Sequence, residues 1–332
     1  MDKAGIIFSG MRPTGRLHIG HLSVLQNWVR LQEEYRCFFG IVNWHALTTS
    51  FDEVREIPEN VKLMLLDWLS AGLDPQKSAL FIQSQVKEHA ELHLLFSMIT
   101  PLSWLERVPT YKDQIVQLGK QGKDITTYGF LGYPLLMAAD ILVYLADTVP
   151  VGEDQLPHIE FCRELARRFN HLYQTDVFPE PQARLAKISM LPGTDGRKMS
   201  KSYGNDIALS ADPKEIQERV RSMITDPARI RKTDPGHPDV CVVYKYQSIY
   251  NEDELPSIRG FCEKGQIGCT DCKKTVWEKL EQVLAPVWER RKFYEARPEV
   301  LTDILMNGAE TARKTAAKTL EAVRECMGTG GA

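Results

Sequence analysis

The chain has 332 residues, 43% hydrophobic and 26% charged, an ordinary balance for a globular protein with room for two domains or for one large and one small. Its formal net charge of -3 excludes a molecule that is basic all over, so any polyanion has to be held by local patches. No apolar run reaches the roughly 18 to 20 residues of a membrane span, and the opening residues lack a signal-peptide core, so the expectation is a cytoplasmic protein with no membrane partner.

Residues 5–9, Gly-Ile-Ile-Phe-Ser, are a short apolar run ending in small residues and read as a buried parallel strand. Leu22, Leu25 and Val29 then fall on one face of a helix predicted over 22–34. A strand, a Gly-containing turn and a helix start make an anion site, because free backbone N–H groups point outward there. The turn is not a Walker A loop, since Gly5 and Gly10 are followed by Met11-Arg12, and no GxGxxG fingerprint for a dinucleotide follows a strand. It carries Pro13-Thr14-Gly15-Arg16-Leu17-His18-Ile19-Gly20-His21. Two imidazoles beside a helix start can donate to phosphate oxygens, and the glycine between them lets a flat ring approach; the alternative is a pair of exposed turn histidines.

Further strands are predicted at 37–42, 78–83 and 148–152, and helices at 53–71 (interrupted near Pro58), 87–99, 133–146 and 154–170. This alternation argues for a parallel sheet with helices on both faces. Residues 100–130, with Gly119, Gly122 and Gly129, break the rhythm and read as a connective insertion. After Asn205 strand signals fade and helices are predicted at 213–223, 275–296 and 309–327, which puts a domain boundary near 206; residues 328–332 read as a frayed tail.

Several stretches carry chemistry. His89-Ala-Glu-Leu-His93 has two histidines at i and i+4, but Glu91 is misplaced for a HExxH metal site, so a helix surface or packed helix face is expected. Tyr133, Met137 and Asp140 share one face of an apolar helix. A carboxylate there is costly unless paired, either with an aromatic N–H donor in a slot lined by Met and Tyr or with an unseen Arg or Lys. Val149 to Gln155 ends a strand and opens a helix, where ligands of parallel sheets bind; Asp154 is either a simple N-cap or part of a site for a ribose or an ammonium group. Lys198-Met199-Ser200-Lys201-Ser202 puts two ammonium groups and two hydroxyls on a loop flanked by glycines, suited to a polyphosphate or else a solvated surface loop. Of seven cysteines, Cys241, Cys262, Cys269 and Cys272 fall within 32 residues, a grouping that favours a metal over disulfides in a reducing compartment.

His18-Ile19-Gly20-His21 together with Lys198-Met199-Ser200-Lys201-Ser202 resembles the motif pair of the class I aminoacyl-tRNA synthetases, and the Tyr133–Asp140 and Val149–Gln155 stretches are similar to the tryptophanyl branch. The resemblance spans nearly the whole chain. It implies an α/β fold: a Rossmann-like parallel-sheet catalytic domain over 1–205 with the insertion at about 100–130, and a helical anticodon-binding domain over 206–332 whose final helix packs back on the first. It implies activation of L-tryptophan by ATP with Mg²⁺, transfer to tRNA(Trp), and a homodimer. Catalytic roles fall on His18, His21, Lys198 and Lys201. ATP contacts fall on Arg12, Pro13, Thr14, Gly20, His21, Gly152, Glu153 and Asp154, and on Lys198, Met199, Ser200, Lys201 and Ser202 of the loop. Asp140 would take the indole N–H with Phe8 and Met137 lining the ring slot, Tyr133 and Gln155 the ammonium group, and His45 lies near the carboxylate. The nearest rival is the tyrosyl branch; a rival of another class is a paralogue that binds RNA without charging it.

Two features depart from the pattern: Arg12 stands where many bacterial relatives have glutamine, and many of them have a degraded His18–His21 motif. The four cysteines resemble the ligand set of the iron–sulfur subgroup, implying one [4Fe-4S] cluster, with a first gap about two residues short; structural Zn²⁺ on the same thiolates is the alternative. Arg229, Arg231, Lys232, Lys273 and Lys274 are candidate RNA phosphate contacts, against the reading of a solvated face.

Overall fold

The computed structural model describes residues 3–120, 124–185 and 191–330, without the side chains of residues 110, 117, 118 and 202. The predicted chain opening at residues 1 and 2, Gly122 of the insertion, the hydroxyl of Ser202 and the last two tail residues therefore lie outside the described residues.

The first half alternates strand and helix as the apolar pattern requires: β1 (Ile6–Met11), α1 (Leu22–Glu34), β2 (Arg36–Ile41), α2 (Asn43–Ser50), α3 (Ile57–Ala71), β3 (Ser78–Ile82) and α4 (Glu88–Ser97). Pro58 does not interrupt a helix; it sits in the first turn of α3, where its missing N–H costs nothing. The insertion is helical in three short pieces, α5 (Leu102–Glu106), α6 (Pro109–Gly119) and α7 (Tyr128–Leu131), and leads into α8 (Tyr133–Leu142). Then come β4 (Thr148–Val151), α9 (Leu156–Tyr173) and β5 (Gln182–Leu185). The remainder is α10 (Pro213–Ser222), α11 (Val242–Tyr250), α12 (Leu255–Glu263), α13 (Cys269–Glu295) and α14 (Pro298–Cys326).

The strands form one parallel sheet in the order β3-β2-β1-β4-β5. Side chains alternate across it, as the two-residue period of a strand requires. Ile7, Cys37, Phe39, Ile41 and Leu80 enter one core with Trp28 of α1 and Trp68 of α3; Phe8, Phe38, Ala79 and Phe81 enter the other with Leu142 of α8 and Phe169 of α9. The C-terminal helices continue both cores. Tyr246, Leu280, Leu284 and Val287 join the first, and Ala309, Ala312, Ala316 and Leu320 of α14 join the second. The apolar interior thus runs unbroken past residue 206. Strand order reverses between β1 and β4, so their carboxyl ends diverge there and open a crevice. Among the described residues no helix is long and apolar enough to cross a membrane.

Candidate active site

A cavity of about 350 Å³ lies in that crevice. All six residues expected around an aromatic amino acid, Phe8, His45, Tyr133, Met137, Asp140 and Gln155, line it. Arg12 and Gly152, expected on the nucleotide side, line it too. Phe8 of β1 is held flat by Tyr144, its ring stacked at 5.6 Å and 15°. Tyr133 donates to or accepts from His158 of α9 through its hydroxyl, at 2.8 Å from Nε2.

Asp140 of α8 is 1% exposed and is paired, but not with Arg or Lys. Gln83 Nε2 donates to both carboxylate oxygens at 2.8 Å, His89 Nδ1 lies 2.7 Å from Oδ1, and His45 Nε2 lies 3.1 Å from Oδ2. Behind this, His89 Nε2 meets the Tyr144 hydroxyl at 2.7 Å, and the Trp44 N–H donates to Gln83 Oε1, which fixes the amide's orientation. Burial pushes the Asp140 carboxyl up, but facing His89 and His45 outweighs it and brings it down to about 2. Gln83 and His89 were not singled out as site residues by the sequence; for His89 the one signal was its place on a packed helix face, which is where it lies, wholly buried.

The nucleotide-side turn runs from β1 through a single 3-10 turn, Ile19–His21, into α1. Its two imidazoles lie against each other, centroids 3.9 Å apart and planes tilted by 40°. The His18 N–H donates to His21 Nδ1 at 3.2 Å, which leaves the His21 proton on Nε2, facing outward as a donor. A Cβ on Gly20 would sit 2.9 Å from His18 Nδ1, so the close approach expected of that glycine is real. Burial chiefly, with the Lys201 charge, lowers His18 to about 4; burial, then His18, lowers His21 to about 3. Both rings are neutral near pH 7, so they can donate hydrogen bonds but add no charge.

The lysine loop folds against this turn. The Ile19 N–H donates to Ile207 O and the Leu209 N–H to Leu17 O, each at 2.9 Å. Lys201 Nζ reaches Thr14 O at 3.3 Å, while Met199 is buried and Lys198 exposed. Burial lowers the Lys201 pKa, opposed by Asp67 and Asp206. Asn205, which the sequence reading used only as a boundary, organises the loop: its Oδ1 accepts from Ser200 N–H at 2.8 Å and its Nδ2 donates to Asp195 and Lys198 O. Glu153 and Asp154 are exposed at the end of β4; Asp154 accepts from the Gln155 amide at 2.8 Å rather than capping α9. Arg12 and Thr14 are exposed and Pro13 is buried on the same rim.

With this geometry in view, comparison with known proteins is decisive. The family described as tRNA synthetases class I (W and Y) matches residues 2–285. The chain belongs to that family. A curated relative from Thermotoga maritima, a tryptophan–tRNA ligase, is 52% identical over 325 residues, covering 97% of this chain and 98% of its own. One from Aquifex aeolicus with the same name is 44% identical over 391 residues, covering 97% and 99%. Among solved structures, the tryptophanyl-tRNA synthetase of Campylobacter jejuni complexed with ADP and tryptophan superposes with a TM-score of 0.85 at 33% identity, covering 97% of this chain and 99% of that one.

In this class I synthetase the four clustered cysteines lie at ends of α11, α12 and α13. Cys241 precedes α11, Cys262 ends α12, and Cys269 and Cys272 occupy the first turn of α13. The thiols act on one another electrostatically, and burial pushes Cys272 up to about 11. Arg229 Nη1 lies 3.9 Å from both Cys262 Sγ and Cys269 Sγ, and Gln247 Nε2 lies 3.5 Å from Cys272 Sγ. Among the described residues no group of three or more His, Cys, Asp or Glu is drawn closely enough to hold a metal ion. The donor set is nonetheless suited to thiolate ligation, since a cation and an amide already face the sulfurs that would carry negative charge. Arg229 is thus turned inward to the thiols and to Lys232 O and Ile267 O, not outward as a phosphate contact. Lys232 pairs with Asp271 at 3.2 Å, Lys273 donates to Arg221 O at 2.7 Å, and Lys274 faces Glu278; Arg231 is exposed.

Proposed function

We propose that the chain activates L-tryptophan with ATP to tryptophanyl-adenylate, releases pyrophosphate, and transfers the tryptophanyl group to the terminal ribose of tRNA(Trp). The observation that carries this reading is the buried Asp140 carboxylate, set in an apolar cavity beside the His18–His21 turn.

Three donors already occupy Asp140, so the indole N–H replaces one of them. His45, on the cavity wall at the longest of the distances, is the one that yields, and its freed imidazole is within the same cavity as the substrate carboxylate. Gln83 and His89 stay and hold the carboxylate ionised. Phenylalanine would displace His45 and bring no donor in its place, leaving one Asp140 oxygen short of a partner, a heavy penalty for a buried group. Tyrosine carries its hydroxyl at the far end of the ring axis, whereas the indole N–H leaves from the ring's side, so one carboxylate position does not suit both. Tyr133 and Gln155 hold the ammonium group, with Phe8 and Met137 against the ring.

Adenylate formation is an in-line attack by the tryptophan carboxylate on the α-phosphorus, with pyrophosphate as the leaving group. The carboxylate is already ionised, so no general base is needed, and catalysis rests on position and charge. His21 Nε2–H and the Gly20 N–H donate to phosphate oxygens, the N–H groups of His18, Ile19 and His21 being bonded within the protein. Lys201 and Lys198 supply positive charge, with Met199, Ser200 and Ser202 forming the loop around them. Arg12, Pro13 and Thr14, and Gly152, Glu153 and Asp154 opposite, frame the adenosine side. Mg²⁺ accompanies the triphosphate and offsets its charge, as this ion commonly does with few protein ligands.

Residues 1–205 form the catalytic unit and 206–332 the RNA-binding one, acting in the cytoplasm, where tRNA is charged. Cys241, Cys262, Cys269 and Cys272 hold a [4Fe-4S] cluster in a structural role, screened by Arg229. The chain works as a homodimer whose interface covers the insertion and the neighbouring helix α4, because Leu94 of α4, Met98 at its C-terminal end, and Leu102, Val116 and Tyr128 of the insertion are each at least half exposed. Tryptophan-dependent, ATP-dependent charging of tRNA(Trp) transcript tests the reading: adenylate formation without charging would reduce the chain to a paralogue that has lost transfer.

A further inference from the structure

Asp67 of α3 is wholly buried and touches no part of the amino-acid cavity. Its two oxygens face opposite ways in function. Oδ2 accepts the Leu17 N–H at 2.8 Å, in the residue before His18. Oδ1 accepts from Arg291 Nη1 of α13, a side chain only 9% exposed. The other side of Leu17 is fixed as well: its carbonyl accepts from Leu209, just past the lysine loop. The Lys201 charge also acts on Asp67. Next to Arg291, Arg290 Nε donates to Ser70 O at 2.6 Å, so α13 grips α3 at two successive residues. A buried carboxylate needs its partners, and removing one leaves an uncompensated charge beneath the turn. The other end of α13 carries Cys269 and Cys272, 22 and 19 residues before Arg291. At about 1.5 Å per residue that is a rod of roughly 30 Å between the cysteines and Arg291.

We propose that Asp67 is a positioning residue for the nucleotide turn, and that Arg291 makes the placement of His18, His21 and Lys201 depend on the C-terminal helix α13. This rests on the activation chemistry proposed above for the same site. The helical region therefore contributes to ATP activation even before tRNA is bound, through a buried side chain rather than through a contact with substrate.

The test uses full-length protein and the variants Asp67→Asn, Arg291→Lys, Arg291→Met and Asp67→Asn with Arg291→Met together. Tryptophan-dependent pyrophosphate exchange is measured with ATP and tryptophan varied separately, each variant below its own melting temperature. The expected result is a tenfold or greater loss in kcat/KM for ATP in Asp67→Asn and Arg291→Met, with the tryptophan KM within twofold of wild type. Arg291→Lys recovers at least a third of the activity, and the double variant is no worse than Asp67→Asn by more than twofold, because both act through one contact. Variants that melt earlier yet keep kcat and the ATP KM overturn the proposal, as does an equal rise in both KM values. If Asp67→Asn does not fold, the two Arg291 variants decide alone. A wild type inactive with tryptophan would sink the activation reading instead; ATP affinity by calorimetry, expected to fall at least fivefold in Arg291→Met, then still tests Asp67, and an unchanged affinity rejects it.

Discussion

That His18 and His21 are neutral near pH 7 is explained by where the rings sit. The rings of His18 and His21 lie tilted against each other beside the lysine loop, so a proton on either has little water and a nearby ammonium group to contend with. Their folded values, about 4 and about 3, lie below the ordinary 6.5, so the unfolded chain binds these protons more readily. Their contribution to stability is therefore complete above pH 6.5 and lost as pH falls through 4 and then 3. Ring-proton NMR titration of ligand-free protein is expected to show midpoints below pH 5 for both rings; a midpoint near 6.5 for His21 would contradict the close pairing of the rings. The histidines, the two lysines and Asp140 are legible from the sequence because each lies in a short stretch with a distinctive spacing. Gln83, His89, Asn205 and Asp67 are not, because their meaning comes from partners 5 to 224 residues away that no local pattern announces.

Elements were readable where their apolar period was strong and unreadable where it was not. β1 to β4 carry buried apolar runs and fall within one or two residues of expectation. β5 does not: its four residues are mostly exposed on the sheet edge, so nothing in Gln182–Leu185 alternates. The helix α13 begins six residues earlier than expected, at Cys269, because a cysteine pair reads as a loop until the thiols are seen on a helical turn. The final helix begins at Pro298 rather than 309, and its seat explains Gly308. A Cβ there would lie 1.9 Å from the Leu80 carbonyl oxygen of β3, so helix and strand are in backbone contact at this point. Gly308→Ala must lift α14 off the sheet, and overpacking of this kind costs about 1–3 kcal/mol. Chemical denaturation is expected to show that loss; a variant as stable as wild type would mean that α14 is not held against β3 in solution.

For the whole molecule, each of the two cores runs from the sheet region into the C-terminal helices, so the fading of strand signals near 206 marks a change in architecture and not a break in packing. That continuity was invisible in the sequence, where each helix shows its apolar face but not which partner covers it. Two proposals concern the assembled protein. Anaerobically purified protein is expected to be brown and to contain iron and acid-labile sulfide bound through the four thiols; colourless protein with stoichiometric zinc would contradict the cluster. Met98→Asp, placed at the exposed end of α4 next to the insertion, is expected to shift the protein from dimer to monomer in sedimentation velocity, and a monomeric wild type would remove the dimer from the reading. The most direct test of the central claim is amino-acid-dependent exchange of pyrophosphate into ATP, with tryptophan against tyrosine, in wild type and in Asp140→Asn of verified fold. Exchange with tryptophan alone, reduced at least about 100-fold in the variant, is the expected result; exchange that prefers tyrosine, or that survives Asp140→Asn unchanged, would contradict it.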